Sequence, residues 1–197
     1  VCAELPDQEQ AGLLRSTIDK IRRAAGKMES VIRRVLDFSK PGTPRLELVD
    51  LSVPVQEALS LMAPTLRKAG ITVDTDFSPV PMVQGDRMQL EQAVVNIVDN
   101  AARAVRDRDE GRNVTLRIFA ADNRVCLSIA DNGPGIDAAD HERIFDPFYT
   151  TANDGTGIGL SIVQRIIADH GGTIRVAESP RGGAEFRLEF PVPATEH

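Results

Sequence analysis

The sequence predicts an α/β fold: a two-layer sandwich in which a mixed sheet of about five strands carries about three helices on one face, preceded by one long amphipathic helix. Three observations predict it. Stretches that alternate apolar and polar residues (71–77, 114–120, 125–131, 173–177 and 185–190) are interleaved with stretches whose apolar residues recur every three or four positions. Asp122-Asn123 joins two of the alternating stretches at hairpin spacing. Residues 8–40 keep a helical period until Pro41-Gly42 ends it.

In that first helix Leu14, Ile21, Met28 and Val35 share one heptad position, and Ile18, Ala25, Ile32 and Ser39 share its partner. Thr17, Ala24, Val31 and Phe38 widen the stripe beyond what a two-stranded seam needs, which predicts packing in a four-helix bundle. After a linker over 41–44, residues 46–51 read as a short strand. Ser52 reads as the cap of a helix running to Ala69, with Gly70 as its stop. A strand over 71–77 and a proline-rich connection over 78–81 lead into a helix over 86–107. Its buried face is Leu90, Val94, Ile97, Ala101 and Ala104. The hairpin, a glycine-rich loop, a helix over 158–170 and two last strands complete the chain. The division is therefore residues 1–43 and residues 44–197.

Composition narrows the function. With 197 residues, 42% of them hydrophobic, the chain can bury one good core with a smaller element beside it. A formal net charge of -6 argues against a nucleic-acid-binding face. No apolar run approaches the roughly 18 residues that cross a bilayer, and no signal-peptide pattern opens the chain. The reading is a cytoplasmic piece of a protein that is membrane-anchored or not at full length. Cys2 and Cys126 suit a reducing compartment.

Chemistry concentrates between Asp131 and Leu160. Gly155, Gly157 and Gly159 alternate just before an apolar helix, removing the Cβ atoms that would keep a phosphate from the backbone N–H groups of a helix start. No Lys-Ser or Lys-Thr follows them and no strand leads straight into them, so this is neither a Walker loop nor a dinucleotide turn. On the helix over 86–107, Asn96, Asn100 and Arg103 lie at i, i+4 and i+7 and form one polar stripe beside the apolar face. Asparagine is a poor helix former, and here it caps nothing. Its carboxamide oxygen is nonetheless a good ligand for a hard cation, and an arginine one turn on suits phosphate oxygens.

These residues carry a resemblance. The run from Leu90 to Ala101 (LEQAVVNIVDNA) resembles the N box of the sensor histidine kinases, whose ATP-binding domain is of the GHKL or Bergerat type. Asp131-Asn132-Gly133-Pro134-Gly135, Phe145-Asp146-Pro147-Phe148-Tyr149 and Gly155-Thr156-Gly157-Ile158-Gly159-Leu160 resemble their G1, F and G2 boxes, in that order. The similarity runs from about residue 10 to 191 and is closest to the nitrogen-regulation subgroup, whose short lid is of the Pro-Phe-Tyr-Thr-Thr kind. The helix over 8–40, with its Leu36-Asp37-Phe38-Ser39-Lys40-Pro41 exit, resembles the second helix of the hairpin that dimerises those kinases.

The resemblance implies ATP and Mg²⁺ as ligands, a response regulator receiver domain as partner, and a homodimer through the N-terminal helix. Asp131 matches the carboxylate that accepts the adenine amino group, an acceptor-only side chain that favours adenine over guanine. Gly133 and Gly135 let the backbone approach the base, followed by Ile136. Asn100 matches the Mg²⁺ ligand, with Asn96 one turn before it near the phosphates and Arg103 at a basic phosphate-contacting position. Gly155, Thr156, Gly157, Gly159 and Leu160 match the loop that holds the phosphates. Phe145 and Phe148 either anchor the lid in the core or contact nucleotide, and stand outside this set. Ala152 and Ala184 depart from the pattern, replacing a lid lysine and a threonine near adenine.

Asn96 and Arg103 are the implied catalytic residues. Related ATPases carry a glutamate at the Asn96 position, useful where water or a hydroxyl must be deprotonated as it attacks. A neutral imidazole already has a free lone pair. Asparagine there favours transfer to histidine, with catalysis by positioning and charge neutralisation. The accepting histidine belongs on a helix before anything this chain contains; His141, His170 and His197 do not qualify. The alternatives are an ATP-binding pseudokinase that uses residues 8–40 to engage a partner, and an ATPase of the gyrase and chaperone type.

Overall fold

The structure is a computed structural model that describes residues 43–151 and 155–193, together with 15–18 and 22, which are helical. The rest of the helix expected over 8–40, with most of its bundle stripe, lies outside the described residues, as do Cys2, Ala152 and His197. The chain divides into two compact units, Val1–Pro41 and Gly42–His197. The second unit carries the sheet and every residue of the nucleotide-like motifs.

Its elements are β1 (Glu47–Val49), α1 (Ser52–Lys68), β2 (Thr72–Phe77), β3 (Val83–Gly85), α2 (Arg87–Ala104), β4 (Asn113–Ala121), β5 (Arg124–Asp131), α3 (Gly159–Asp169), β6 (Thr173–Glu178) and β7 (Ala184–Pro191). Five strands form one sheet in the order β2-β4-β5-β7-β6. β2 runs parallel to β4 and the other pairs are antiparallel, which makes the sheet mixed as the sequence predicts. β1 and β3 form a separate antiparallel pair. β3 is a strand that the sequence reading does not contain; it lies in the connection between β2 and α2.

Register explains why only one face of the sheet takes helices. Ile118, Leu127, Leu188 and Ile174 line up across four strands, and Leu116, Ile129, Phe186 and Val176 form the next row on the same side. These rows join the core with Leu90, Val94 and Ile97 of α2 and Ile162, Val163 and Ile167 of α3. Each large side chain so buried contributes about 1.5–3 kcal/mol. The opposite side of one row carries Arg117, Ser128, Arg187 and Arg175, which cannot sit under a helix cheaply.

Two helix starts set the positions of the helices beside the site. Ser52 is the first residue of α1 and not its cap, which is Leu51; the Ser52 N–H is held by Asp50 Oδ1 at 2.9 Å. Asp86 caps α2, its Oδ1 accepting from the N–H groups of Met88 (3.1 Å) and Gln89 (3.2 Å). At the β4–β5 hairpin Asp122 and Asn123 both take positive φ (51° and 57°), the turn that matches strand twist.

Candidate functional site

α2 is the spine of the site. Its apolar residues Leu90, Ala93, Val94, Ile97, Val98 and Ala101 are buried, which leaves the stripe of Asn96, Asn100 and Arg103 half-buried along one side. The stripe meets two loops. From Asn96 to Ala104 is a rise of roughly 12 Å, and each loop touches one end of it.

The first loop follows β5. Asp131 ends the strand on the helix-facing side and is 4% exposed. Its Oδ1 accepts from Gly133 N–H at 2.8 Å and Ala184 N–H at 3.2 Å, while Oδ2 makes no hydrogen bond among the described residues. Burial pushes its carboxyl above the ordinary aspartate range, with the bonds from Gly133 and Ala184 opposing the rise. A Cβ on Gly133 would lie 3.0 Å from the Ala104 Cβ, so this loop rests on the last turn of α2. Gly183, at φ +104°, packs so close that a Cβ would stand 2.4 Å from the Asp131 carbonyl oxygen and 2.6 Å from its Oδ1. Gly135 faces the Gly183 carbonyl, and Ile136 packs half-buried on the core beyond it.

Gly183 and the Ala184 backbone are site-forming residues that the sequence reading misses. The signal is the Gly182-Gly183 pair just before the last strand. Ala184 lacks the hydroxyl of a threonine, yet its N–H still holds Asp131.

The second loop precedes α3. Gly155, Thr156 and Gly157 lie in it, and Gly159 and Leu160 open the helix. The residue at the α3 cap, Ile158, has no side-chain acceptor and makes no side-chain cap bond to the first N–H groups of α3. A Cβ on Gly159 would lie 3.8 Å from Asn96 Oδ1, which brings the carboxamide stripe to the start of α3. Asn96 Nδ2 is buried with no partner among the described residues. An unsatisfied buried donor costs about 1–3 kcal/mol, and an anionic oxygen at this spot would satisfy it.

The F box is clipped to the same loop. Phe148 N–H donates to the Gly157 carbonyl at 2.9 Å, and Gly157, at φ +66°, would put a Cβ 2.4 Å from the Phe148 backbone. Phe148 itself holds φ +69° and is 69% exposed, whereas Phe145 is buried in the core. The two phenylalanines therefore divide: one anchors, the other projects. The Arg143 guanidinium lies 4.6 Å from the Tyr149 ring centroid, and a hydrogen bond to Asp140 raises the Tyr149 hydroxyl above its usual range.

Arg103 donates to Asp99 Oδ2 at 2.6 Å, so any phosphate it meets shares it with that carboxylate. No group of three or more His, Cys, Asp or Glu able to hold a metal occurs among the described residues. A cation here would draw on the carboxamide oxygen of Asn100 with phosphate and water oxygens, which fits Mg²⁺ and not Zn²⁺.

Comparison with known proteins shows the family and the fold. Residues 85–194 match the family model described as "Histidine kinase-, DNA gyrase B-, and HSP90-like ATPase". The chain is 36% identical over 191 residues to the "C4-dicarboxylate transport sensor protein DctS" of Rhodobacter capsulatus, covering 95% of this chain and 29% of that protein. Among solved structures, ShkA in complex with AMPPNP superposes with a TM-score of 0.78 at 30% identity, over 99% of this chain and 41% of that one. The histidine kinase ThkA in complex with the response regulator protein TrrA gives 0.76 at 25% identity, over 99% of this chain and 55% of that one.

Proposed function

This chain belongs to the histidine kinase-, DNA gyrase B-, and HSP90-like ATPases, and from that premise we propose that it is the ATP-binding catalytic portion of a sensor histidine kinase. It would move the γ-phosphoryl group of ATP to a histidine outside this chain, for relay to the receiver domain of a response regulator. The relative in complex with a response regulator supports the partner class. In this reading residues 1–43 are the second helix of a dimerisation hairpin, through which the full protein forms a homodimer, and residues 44–197 are the catalytic domain, working in the cytoplasm.

Asp131 would accept the adenine amino group on Oδ2, since Oδ1 is already taken. Guanine would present a carbonyl oxygen to the same carboxylate and be repelled. The N–H groups at the start of α3 and Asn96 Nδ2 would donate to phosphate oxygens, with Gly155, Thr156, Gly157, Gly159 and Leu160 shaping that end. Asn100 would hold Mg²⁺, which when bound neutralises charge on the phosphates. Arg103, held by Asp99, would add a positive charge beside them. Asn96 cannot act as a base, and a neutral imidazole does not need one.

The observation that carries the proposal is the buried, unpartnered Asn96 amide set against the start of α3. The test mixes this chain with a fragment bearing the histidine helix of a close relative and supplies γ-labelled ATP. Label on the fragment's histidine is expected. Binding of both without label would favour the nucleotide-regulated binding module, and steady phosphate release without histidine label would favour the ATPase.

A further inference from the structure

We propose that His170 is a positioning residue: it fixes the lengthwise register of α2 against α3, and so holds Asn96 at the start of α3. The inference rests on the nucleotide reading above and adds to it a group at the far end of both helices.

His170 follows α3 directly and is 4% exposed. Its Nε2 accepts the backbone N–H of Asp86 at 2.8 Å. A backbone N–H can only donate, so Nε2 carries no proton, and Nδ1 must hold the ring's proton and donate it to the Ile166 carbonyl at 2.6 Å. The imidazole is thus neutral in one tautomer, with both nitrogens spent. Asp86 is the α2 cap, and its carboxylate is tied in turn to the N–H groups of Met88, Gln89 and Arg45. Gly85 just before it is closed in: a Cβ there would stand 2.7 Å from Leu90 Cδ1 and 3.2 Å from His170 Cδ2.

Geometry links this clasp to the site. Asn96 lies ten residues beyond Asp86 along α2, and Gly159 lies eleven residues before His170 along α3. At helical rise these are roughly 15 Å and 16 Å. Clasp and phosphate end are therefore at the two ends of α3, joined by the first half of α2 running antiparallel to it. Apolar side chains between the helices resist separation better than sliding, because dispersion is not directional. A hydrogen bond with one donor and one acceptor is directional, and it blocks the slide.

The test compares the 197-residue chain with His170→Gln, which keeps an acceptor within reach of Asp86 N–H, and His170→Leu, which fills the space without one. Dissociation constants for Mg-ATP and for adenosine are measured, together with amide exchange at Asp86. His170→Leu should weaken Mg-ATP roughly tenfold, leave adenosine within about twofold, and expose Asp86 N–H to exchange; His170→Gln should return Mg-ATP to within about threefold. A Leu variant that only melts earlier, or loses both ligands alike, overturns the positioning role. If the Leu variant fails to fold, a Gln variant with an unprotected Asp86 N–H and unchanged Mg-ATP affinity overturns it equally. Failure of the unsubstituted chain to take up either ligand would sink the nucleotide reading itself, while exchange at Asp86 still reads the clasp.

Discussion

The Asn96 carboxamide oxygen lies 3.8 Å from the place a Cβ would occupy on Gly159, and outside that helix's own backbone no other atom of the described residues stands within 4 Å of it. Apart from the asparagine, the space beside the first residue of α3 is therefore open among the described residues. Gly159→Ala meets no clash and gains helix propensity of about 1 kcal/mol, so its Tm should hold or rise. The added methyl nevertheless stands where phosphate oxygens would lie, and Mg-ATP affinity should fall roughly tenfold. Calorimetric titration and a melting curve check the two halves; unchanged affinity would remove Gly159 from the site.

Asn96 itself trades stability for binding. Its Nδ2 is buried without a partner among the described residues, so Asn96→Leu removes an unsatisfied donor at similar size. Thermal unfolding should show a gain of about 1 kcal/mol, with Mg-ATP uptake lost beyond tenfold. A variant that is less stable and still binds would mean the amide serves the fold alone.

The contact between Phe148 and Gly157 predicts opposite signs at its two sides. Gly157→Ala puts a methyl into the Phe148 backbone at a φ that side chains resist, and should cost about 1 kcal/mol or more. Phe148→Asn keeps the left-handed conformation more easily and loses little burial, so it should unfold no earlier than the parent. Denaturant midpoints for the two variants decide it.

How much of this is legible in the sequence depends on how far apart the partners lie. The stripe of Asn96, Asn100 and Arg103 follows from helical period alone, and the parity of Leu127, Ile129 and Asp131 already puts the carboxylate on the helix-facing side of β5. The pairing of Arg103 with Asp99 is local too, an i, i+4 pair on one helix face. What holds Asp131 is not readable, because Ala184 lies 53 residues away. Nor does Phe148 announce its positive φ, since phenylalanine avoids that region and the bond that accompanies it, to the Gly157 carbonyl, is not local. His170 closes α3 through a local bond to the Ile166 carbonyl, but its bond to Asp86 spans 84 residues and is not readable.

Acid should release adenine early. Burial raises the Asp131 carboxyl, so the ligand-free fold favours its protonated form: that contribution to stability is complete below the unfolded aspartate value and is lost as pH rises through the folded one. Adenosine needs the ionised form as acceptor, so its affinity should fall on acidification at a higher pH than an ordinary aspartate would give. Asp131→Asn should abolish adenosine uptake and flatten this pH profile. A profile that stays flat in the unsubstituted chain down to the ordinary aspartate range would separate Asp131 from the base.

The central claim is that one magnesium nucleotide lies along α2, with adenine at Asp131 and phosphates at Asn96 and the start of α3. Calorimetric titration of the 197-residue chain with Mg-ATP and, in parallel, Mg-GTP tests it most directly. The account predicts saturable uptake of one Mg-ATP per chain, weakened by removal of magnesium, with Mg-GTP at least roughly tenfold weaker. Absence of saturable Mg-ATP uptake, or equal affinity for the two nucleotides, would contradict it.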